Sequence, residues 1–285
     1  MNEALPRPRL IASDLDGTLL RDDGRMSART VAALLAMQAA GIEVVFVTAR
    51  PPRWVDEVAH AVGDHGVVIC LNGAFVYDAT QRSVLAEQAM SDGLVRQLTA
   101  DLRSALPTIA FAAERRGGFA TEHRFSGPHP VPDGSPAASM IEDLLDGATG
   151  KLLARCVEVP DADLVGLVAE VLADRAIVAY SGAVGLAEIS GPGVTKASTL
   201  ARWAAERGFC PGEVWAFGDM PNDLPMLRWA GRSFAVDNAH PAVRAMADHV
   251  CGSNQDDGVA AVLESILSAT TGSHRQPPTA PGRAR

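Results

Sequence analysis

The sequence predicts an α/β protein, in which the two ends of the chain form a doubly wound parallel sheet and an α+β unit is inserted between them. Three observations lead to this fold class. Short β-branched segments alternate with helical periodicity over residues 10–71, paired strand patterns replace that alternation over 73–190, and the alternation returns after Gly193. Strands that alternate with helices are typical of right-handed βαβ units, which assemble into parallel sheets.

Local signals define each element of the first part of the chain. The predicted elements are, in order, strand 10–13 (LIAS), helix 27–40, strand 42–47 (IEVVFV), helix 52–62 and strand 66–71 (GVVICL). Ser27 is suited to cap the first helix, and Gly41 is suited to end it. We expect Val31, Leu34 and Leu35 to form the apolar face of this helix.

The middle of the chain reads as paired strands with interspersed helices. The predicted elements are a hairpin over 73–90, a helix over 91–105, strands at 108–114 and 118–122, a short helix, a strand at 151–159, a helix over 161–173 and strands at 175–181 and 185–190. A Gly- and Pro-rich stretch over 127–136 interrupts the pattern. This arrangement is typical of an α+β unit and differs from the doubly wound start.

The βα alternation then returns and closes the first unit. It comprises a helix over 195–207, a strand at 213–218, a short helix after Pro221, a strand at 233–237 and helices over 240–247 and 257–268. We therefore expect a core formed by residues 1–80 and 191–268, and an inserted cap over 81–190. The Pro-, Gly- and Arg-rich tail over 269–285 is expected to be disordered.

The composition is that of a folded protein and excludes several classes of function. Of the 285 residues, 47% are hydrophobic and 21% are charged, close to the globular average. The formal net charge of −9 disfavours binding to phosphate backbones, so no nucleic-acid partner is expected. No CxxC pair and no run of about 18 apolar residues is present. These features predict a reduced, cytoplasmic protein without membrane association, and they leave the oligomeric state open.

Two carboxylates follow the first predicted strand. Asp14 and Asp16 lie in the segment DLDGT, directly after residues 10–13. Ligands bind at the carboxyl ends of strands in open α/β sheets, so these residues occupy the expected place for a site. One carboxylate can attack or bind a metal while the other exchanges a proton with a leaving group. Gly17 allows the chain to turn sharply there.

A second acidic cluster follows the strand at 213–218. It contains Asp219, Asn222 and Asp223, with Pro221 at the predicted first turn of a helix. Oxygen ligands from Asp14, Asp219 and water match octahedral Mg²⁺ better than zinc. The sequence therefore predicts a Mg²⁺ site between the two acidic segments.

Two further element ends supply groups that can hold an anion. Thr48 offers a hydroxyl at the end of strand 42–47, and Arg50 follows two residues later. Lys196 lies at a predicted helix start, where the helix dipole also favours an anion. Taken alone, a Thr or a Lys is usually a surface residue, and it is their placement among the other motifs that favours a role at the site.

Together these segments resemble the four motifs of the haloacid dehalogenase superfamily. The matching segments are, in order, DLDGT (14–18), VTAR (47–50), VTKASTL (194–200) and GDMPND (218–223). The insert lies between NGA (72–74) and the lysine segment, as in the large α/β cap of the Cof-type sugar-phosphatase branch. The resemblance implies a Rossmann-like core with a cap. Ala49 and Ala197 depart slightly from the usual residues.

The resemblance also implies a role for each residue of the motifs. Asp14 would attack phosphorus and form a phosphoaspartate, and Asp16 would protonate the leaving alcohol. Thr48 and Lys196 would hold the phosphoryl oxygens. The expected Mg²⁺ ligands and their supports are Asp14, the backbone carbonyl of Asp16, Asp219 and Asp223. Substrate contacts are expected from Arg50, Asn72, Gly73 and Asn222.

These residues predict a Mg²⁺-dependent phosphatase that acts on a small phosphorylated metabolite. The presence of Asp16 argues against dehalogenation, because a halide leaves without a proton. Two alternatives stay open: a phosphomutase or phosphotransferase with the same intermediate, and a silent binding protein on the same scaffold. In the insert, basic residues are candidates for a second anion site, with a solvated strand edge as the alternative; they are Arg115, Arg116, His123 and Arg124.

Overall fold

The computed structural model describes residues 7–55, 66–127, 129–179 and 185–271. Within these ranges the strands form two sheets, one of eight strands and one of six. The predicted fold class is confirmed: the chain is a mixed α/β protein with a parallel sheet and a second, smaller α+β unit. None of the helices in the described ranges is long and apolar enough to cross a membrane.

The large sheet contains the strands that the two ends of the chain predict. Its members are β1 (Leu10–Ser13), β2 (Glu43–Val47), β3 (Val67–Cys70), β4 (Phe75–Asp78), β5 (Ser83–Glu87), β12 (Val214–Gly218), β13 (Arg232–Val236) and β14 (His249–Cys251). Their order is β14-β13-β12-β1-β2-β3-β4-β5. The pairs from β14 to β3 are parallel, and β4 and β5 add an antiparallel hairpin at one edge.

The small sheet lies in the middle of the chain. Its strands are β6 (Ala110–Arg115), β7 (Gly118–Glu122), β8 (Ala137–Ala138), β9 (Thr149–Arg155), β10 (Ile177–Ala179) and β11 (Ala187–Ser190). Their order is β10-β11-β9-β6-β7-β8, and every pair is antiparallel except β7 with β8. Antiparallel pairing lets consecutive strands be joined by short turns, as between β6 and β7.

The helices lie close to their predicted positions. They are α1 (Ala28–Ala39), α2 (Pro52–Val55), α3 (Asp92–Ala105), α4 (Asp161–Leu172), α5 (Lys196–Glu206), α6 (Leu224–Trp229), α7 (Pro241–Met246) and α8 (Gly258–Thr271). Ser27 caps α1 as predicted, since its hydroxyl accepts a hydrogen bond from the Thr30 N–H. Residues 56–62 of the second predicted helix, and the tail from 272 onward, lie outside the described residues.

The prediction for the buried face of α1 was wrong in part. The buried side chains are Thr30, Ala33, Leu34 and Met37, whereas Leu35 is 46% exposed. Buried positions separated by three or four residues define one stripe of a helix, and Leu35, next to Leu34 in sequence, lies on the flank of this stripe. An apolar residue is therefore exposed where the periodicity predicted a buried one.

Each sheet has its own hydrophobic core. One cluster of buried residues runs from Leu10 to Ile266 around the large sheet, and the other runs from Met90 to Ile189 around the small sheet. Strand β5 pairs with β4 in the large sheet, although the predicted limit at residue 80 assigned it to the insert. We propose that the insert begins after Glu87.

The separate core of the insert makes a prediction about stability. Leu98 on α3 is fully buried against the small sheet, so Leu98→Ala should lower the free energy of unfolding by about 2–5 kcal/mol. Leu167→Ala is the matched control, because Leu167 on α4 is 38% exposed and its truncation should cost less than about 1 kcal/mol. Urea titration followed by circular dichroism measures both values, and equal losses would contradict the assigned core.

Candidate active site

The parallel pairing of β1 with β2 and β12 creates the site. Ser13, the last residue of β1, lies in register with Phe46 of β2 and Phe217 of β12. The segments that follow these three strands therefore emerge side by side at one edge of the sheet. They carry Asp14, Thr48 and Asp219, so the three residues that were expected at strand ends lie at the same edge of the sheet.

Lys196 joins the site from the start of α5. Its ammonium donates to Oδ1 of Asp14 at 2.5 Å and to Oδ1 of Asp223 at 2.7 Å, and its side chain is 1% exposed. The helix is held at this point by Thr195, whose hydroxyl caps α5 through the Ser198 N–H. A single cation is thus buried between two buried carboxylates.

Asp223 also fixes the loop that carries Asp219. Its Oδ2 accepts hydrogen bonds from the backbone N–H groups of Asp219 and Met220, both at 3.0 Å. Because its Oδ1 accepts from Lys196, both oxygens of Asp223 already have partners. This geometry favours a supporting role for Asp223, with Asp14 and Asp219 as the residues that offer oxygens to a metal.

We call Asp14, Asp219 and Asp223 the carboxylate cluster. One carboxylate oxygen of each residue lies within 4.8 Å of the others, and all three residues are buried. With Lys196 as their counter-charge, three carboxylates leave an excess of buried negative charge, which a divalent cation would balance. An all-oxygen donor set of this kind fits Mg²⁺.

Gly17 allows the close approach of the first motif to Asp219. Its φ is +76°, and a Cβ at this position would lie 2.4 Å from Oδ2 of Asp219. The side chain of Thr18 next to it donates to Oδ1 of Asp219 at 3.1 Å. The turn after Asp16 is therefore packed directly on the carboxylate cluster, and the site requires glycine there.

Asp16 lies at the mouth of the site, where it is more exposed than the buried carboxylate cluster. Its side chain is 54% exposed and forms a two-point ion pair with Arg50, with Nε–Oδ2 at 2.8 Å and Nη2–Oδ1 at 2.6 Å. Such bidentate geometry fixes the orientation of a carboxylate. The structure therefore places Arg50 on Asp16, where the sequence predicted a substrate contact.

Thr48 and Asn72 connect the loops after β2 and β3. Thr48 is fully buried, its hydroxyl accepts from the Arg50 N–H at 3.1 Å, and its carbonyl accepts from the Asn72 N–H at 2.9 Å. The side chain of Asn222 donates to Oδ1 of Asn72 at 3.3 Å. The predicted binding residues Asn72 and Asn222 thus meet each other beside the carboxylate cluster.

The structure explains Gly73 by packing. Its φ is +115°, and a Cβ would lie 2.4 Å from the carbonyl oxygen of Thr195 at the start of α5. Its own carbonyl accepts a hydrogen bond from the hydroxyl of Thr199 at 2.8 Å. The backbone of the NGA loop therefore supports the helix that carries Lys196, which is a different role from the predicted substrate contact.

The basic residues that were predicted to cluster in the insert line two different cavities, and Arg115 and Arg116 form ion pairs with acidic residues. Arg115 and Arg116 line a cleft of about 480 Å³ together with Arg53 and Glu114, whereas Arg124 lines a separate cavity. Arg116 pairs with Glu87, and Arg115 with Asp146 at 3.5 Å. These ion pairs favour the alternative of a strand edge over a ready-made second anion site.

Sequence reasoning missed Asn238 and Lys151. Asn238 follows β13, and its side-chain amide donates to the carbonyl oxygen of Gly17 at 2.8 Å. The strand-end rule that found Asp14 could have found Asn238. Lys151 reaches the loop after β2 from the insert, and a single lysine in a predicted strand carries no signal of that contact.

Burial and charge repulsion act on the acidic groups together. Burial raises the pKa of Asp14 well above its ordinary value, and Asp223 and Asp219 raise it further against the opposing effect of Lys196. Burial, followed by repulsion from Asp223, raises the pKa of Asp219 to about 6. Burial opposes the charge on Lys196, but Asp14 and Asp223 outweigh it and raise the pKa of the ammonium. The site therefore favours cations.

Known proteins resemble this chain over almost its whole length. The family profile of the haloacid dehalogenase-like hydrolases matches residues 11–263. A 5-amino-6-(5-phospho-D-ribitylamino)uracil phosphatase of Bacillus subtilis is 27% identical, with 90% of this chain and 94% of that protein covered. A pyridoxal phosphate phosphatase of Escherichia coli is also 27% identical, with 91% and 98% covered.

Solved structures show the same fold. The crystal structure of a haloacid dehalogenase-like hydrolase from Bacteroides thetaiotaomicron superposes with a TM-score of 0.76 at 23% identity. The match covers 91% of this chain and 100% of that chain, so it includes both sheets.

The buried charges predict how stability depends on Lys196. Lys196→Met leaves Asp14 and Asp223 without their shared cation and should lower the free energy of unfolding by about 3–5 kcal/mol near pH 8. Without the cation, the pKa of folded Asp14 rises further above the unfolded value of about 3.9. The loss should therefore be small below about pH 4, grow as the pH rises towards the folded pKa, and level off above it.

Urea titrations of Lys196→Met and wild type between pH 4 and 8 measure this loss. Arg29→Met is the control, because Arg29 pairs with Glu264 at the surface and its removal should cost less than about 1 kcal/mol at every pH. A loss for Lys196→Met that does not change with pH would contradict the charge assignment.

Proposed function

Because the chain belongs to the haloacid dehalogenase-like hydrolases, we propose that it hydrolyses a small phosphomonoester with Mg²⁺, through a phosphoaspartate on Asp14. The observation that carries this proposal is the buried Asp14 carboxylate, held by Lys196 in front of Asp219 at the end of a parallel sheet. Phosphoryl transfer depends mainly on positioning and on the neutralisation of negative charge.

The geometry suits Asp14 as the nucleophile. One of its oxygens accepts from Lys196, and the other accepts no hydrogen bond from the residues that the structure describes. That oxygen would form the bond to phosphorus while the bond to the ester oxygen breaks. Lys196 keeps the attacking carboxylate oriented, and the buried hydroxyl of Thr48, which follows the neighbouring strand β2, would hold a phosphoryl oxygen.

Asp16 is suited to the proton transfers. It lies two residues after Asp14 at the mouth of the site, where a leaving alcohol would depart. It would donate a proton to the ester oxygen, and then accept one from the water that cleaves the phosphoaspartate and releases phosphate. Arg50 holds its carboxylate in place between these steps.

Asp14 and Asp219, with the backbone carbonyl of Asp16, are the residues that would hold Mg²⁺. When bound, the ion supplies charge neutralisation between the carboxylates and an anionic substrate. The substrate class follows from the relatives, which include phosphatases named for a ribitylamino-uracil phosphate and for pyridoxal phosphate. We propose a small phosphorylated metabolite for this chain.

Loss of the nucleophile should abolish turnover. Asp14→Asn should reduce phosphate release from p-nitrophenyl phosphate and from a panel of sugar phosphates by at least about 10³-fold. EDTA should have a comparable effect on the wild type, and added Mg²⁺ should reverse it. Asp101→Asn is the control, because Asp101 forms an exposed ion pair with Arg175 in the insert and should leave the rate unchanged.

Each other outcome of this assay has a definite meaning. Substantial turnover by Asp14→Asn would remove Asp14 from the nucleophile role, and activity that survives EDTA would remove the metal. Phosphate transferred to an added sugar in preference to water would identify a phosphotransferase. No release from any substrate by the folded wild type would indicate a binding protein.

The role of Asp16 predicts a dependence on the leaving group. Asp16→Asn should lower kcat/KM by about 10²–10⁴-fold for a sugar phosphate, whose alkoxide needs a proton to leave. The loss should be much smaller for p-nitrophenyl phosphate, because p-nitrophenolate leaves without a proton. Steady-state kinetics with both substrates test this, and equal losses would show that Asp16 does not act as the acid.

A further inference from the structure

Lys151 on β9 is a buried cation that the proposed chemistry does not use. Its side chain is 4% exposed, and its ammonium donates to Oε2 of Glu188 at 2.6 Å and to the carbonyl oxygen of Ala49 at 3.1 Å. Glu188 belongs to the insert, whereas Ala49 lies in the core between Thr48 and Arg50. Lys151 therefore connects the insert to the loop after β2.

This contact completes the hydrogen bonding of that loop. The carbonyl of Thr48 accepts from the Asn72 N–H at 2.9 Å, and the carbonyl of Arg50 accepts from the Leu71 N–H at 3.0 Å. Lys151 holds the carbonyl between them. Three consecutive carbonyls are thus fixed, two by the core and the middle one by the insert.

The loop in question, residues 48–50, orients two groups of the proposed reaction. Arg50 binds both oxygens of Asp16, and its N–H donates to the hydroxyl of Thr48. A rotation of the peptide between Ala49 and Arg50 would move that N–H and the guanidinium together. Holding the Ala49 carbonyl therefore restrains both Thr48 and Asp16.

The backbone of β9 packs closely on the core beside this contact. A Cβ at Gly150 would lie 2.7 Å from Cδ1 of Leu71 and 2.8 Å from Cε2 of Phe75. Thr149, one residue earlier, exchanges two backbone hydrogen bonds with Met90 at the entry to the insert. The glycine thus lets β9 pack on the loop after β3. Lys151, the next residue, then reaches the loop after β2.

Stability of the insert does not by itself explain the ion pair. Glu188 lies opposite Leu153, so Lys151 and Glu188 are diagonal neighbours on one face of the small sheet. Two buried charges lose much of their hydration, and apolar residues of similar volume often stabilise a fold equally well or better. The hydrogen bond to Ala49 is the feature that an apolar pair could not provide.

We propose that Lys151 is a positioning residue, through which the insert holds residues 48–50 in the arrangement that phosphoryl transfer requires. The proposal rests on the phosphatase function proposed above. It assigns Lys151 no contact with the leaving group. Loss of Lys151 should slow every phosphoester through Thr48, and a sugar phosphate at least as much as p-nitrophenyl phosphate, because only the sugar phosphate also depends on Asp16. Glu188 orients the ammonium.

Two variants separate the contact with Ala49 from the charge balance. Glu188→Gln keeps a side-chain oxygen that can accept from the ammonium, and with it the donation of Lys151 to Ala49. The double variant Lys151→Met/Glu188→Gln removes that donation without leaving an unpaired buried charge. We expect the double variant to lower kcat by about 10- to 100-fold relative to Glu188→Gln for p-nitrophenyl phosphate, and by at least the same factor for a sugar phosphate.

A loss for both substrates supports positioning. A loss confined to the sugar phosphate would overturn the proposal, because it would show that Thr48, which would hold the phosphoryl oxygens of both substrates, does not depend on Lys151. Equal activity of the two variants would overturn it as well. Lys151→Arg should restore part of the rate, since a guanidinium also donates to a carbonyl and a carboxylate.

Hydrogen exchange provides a readout that does not depend on turnover. In the double variant, the amides of Arg50, Leu71 and Asn72 should exchange faster than in Glu188→Gln, while Val250 in β14 at the far edge of the sheet should not change. Unchanged exchange at residues 50, 71 and 72 would overturn the proposal. If wild type releases no phosphate but exchange responds as expected, the phosphatase assignment fails and the coupling stands.

Discussion

The buried ammonium of Lys196 is the interaction on which the site depends. It lies between the carboxylates of Asp14 and Asp223, and Asp223 in turn holds the backbone of the loop that carries Asp219. Charges buried in this way are tolerated only when they are paired and hydrogen-bonded. The contacts that orient the carboxylates therefore depend on the surrounding local structure. The cap of α5 places Lys196, and the turn at Gly17 allows the approach to Asp219.

Strand topology explains why so much of the site could be predicted from the sequence. Asp14, Thr48 and Asp219 each follow a strand, and parallel pairing of β2, β1 and β12 brings strand ends together without knowledge of any side-chain contact. Lys196 was found because a helix start is an equally local signal. The fold class followed from the same alternation of strands and helices.

The features that could not be predicted depend on contacts between distant parts of the chain. The ion pair of Arg50 with Asp16 joins two loops, and the bond from Lys151 to Ala49 joins two units. A pattern in sequence also cannot show that Arg115 and Arg116 already have acidic partners. Likewise, the flank position of Leu35 on α1 becomes visible only when the neighbouring elements are in place.

The absence of a side chain at Gly150 has a consequence for protein engineering. Because β9 passes within van der Waals distance of Leu71 and Phe75, the insert packs directly on the core in addition to its two chain connections. A chimaera that receives the insert of a relative would need a small residue at the position of Gly150. It would also need a long hydrogen-bond-donating side chain at the position of Lys151. Whether an insert and a core can be combined would therefore depend first on the packing between β9 and the core, whatever the substrate.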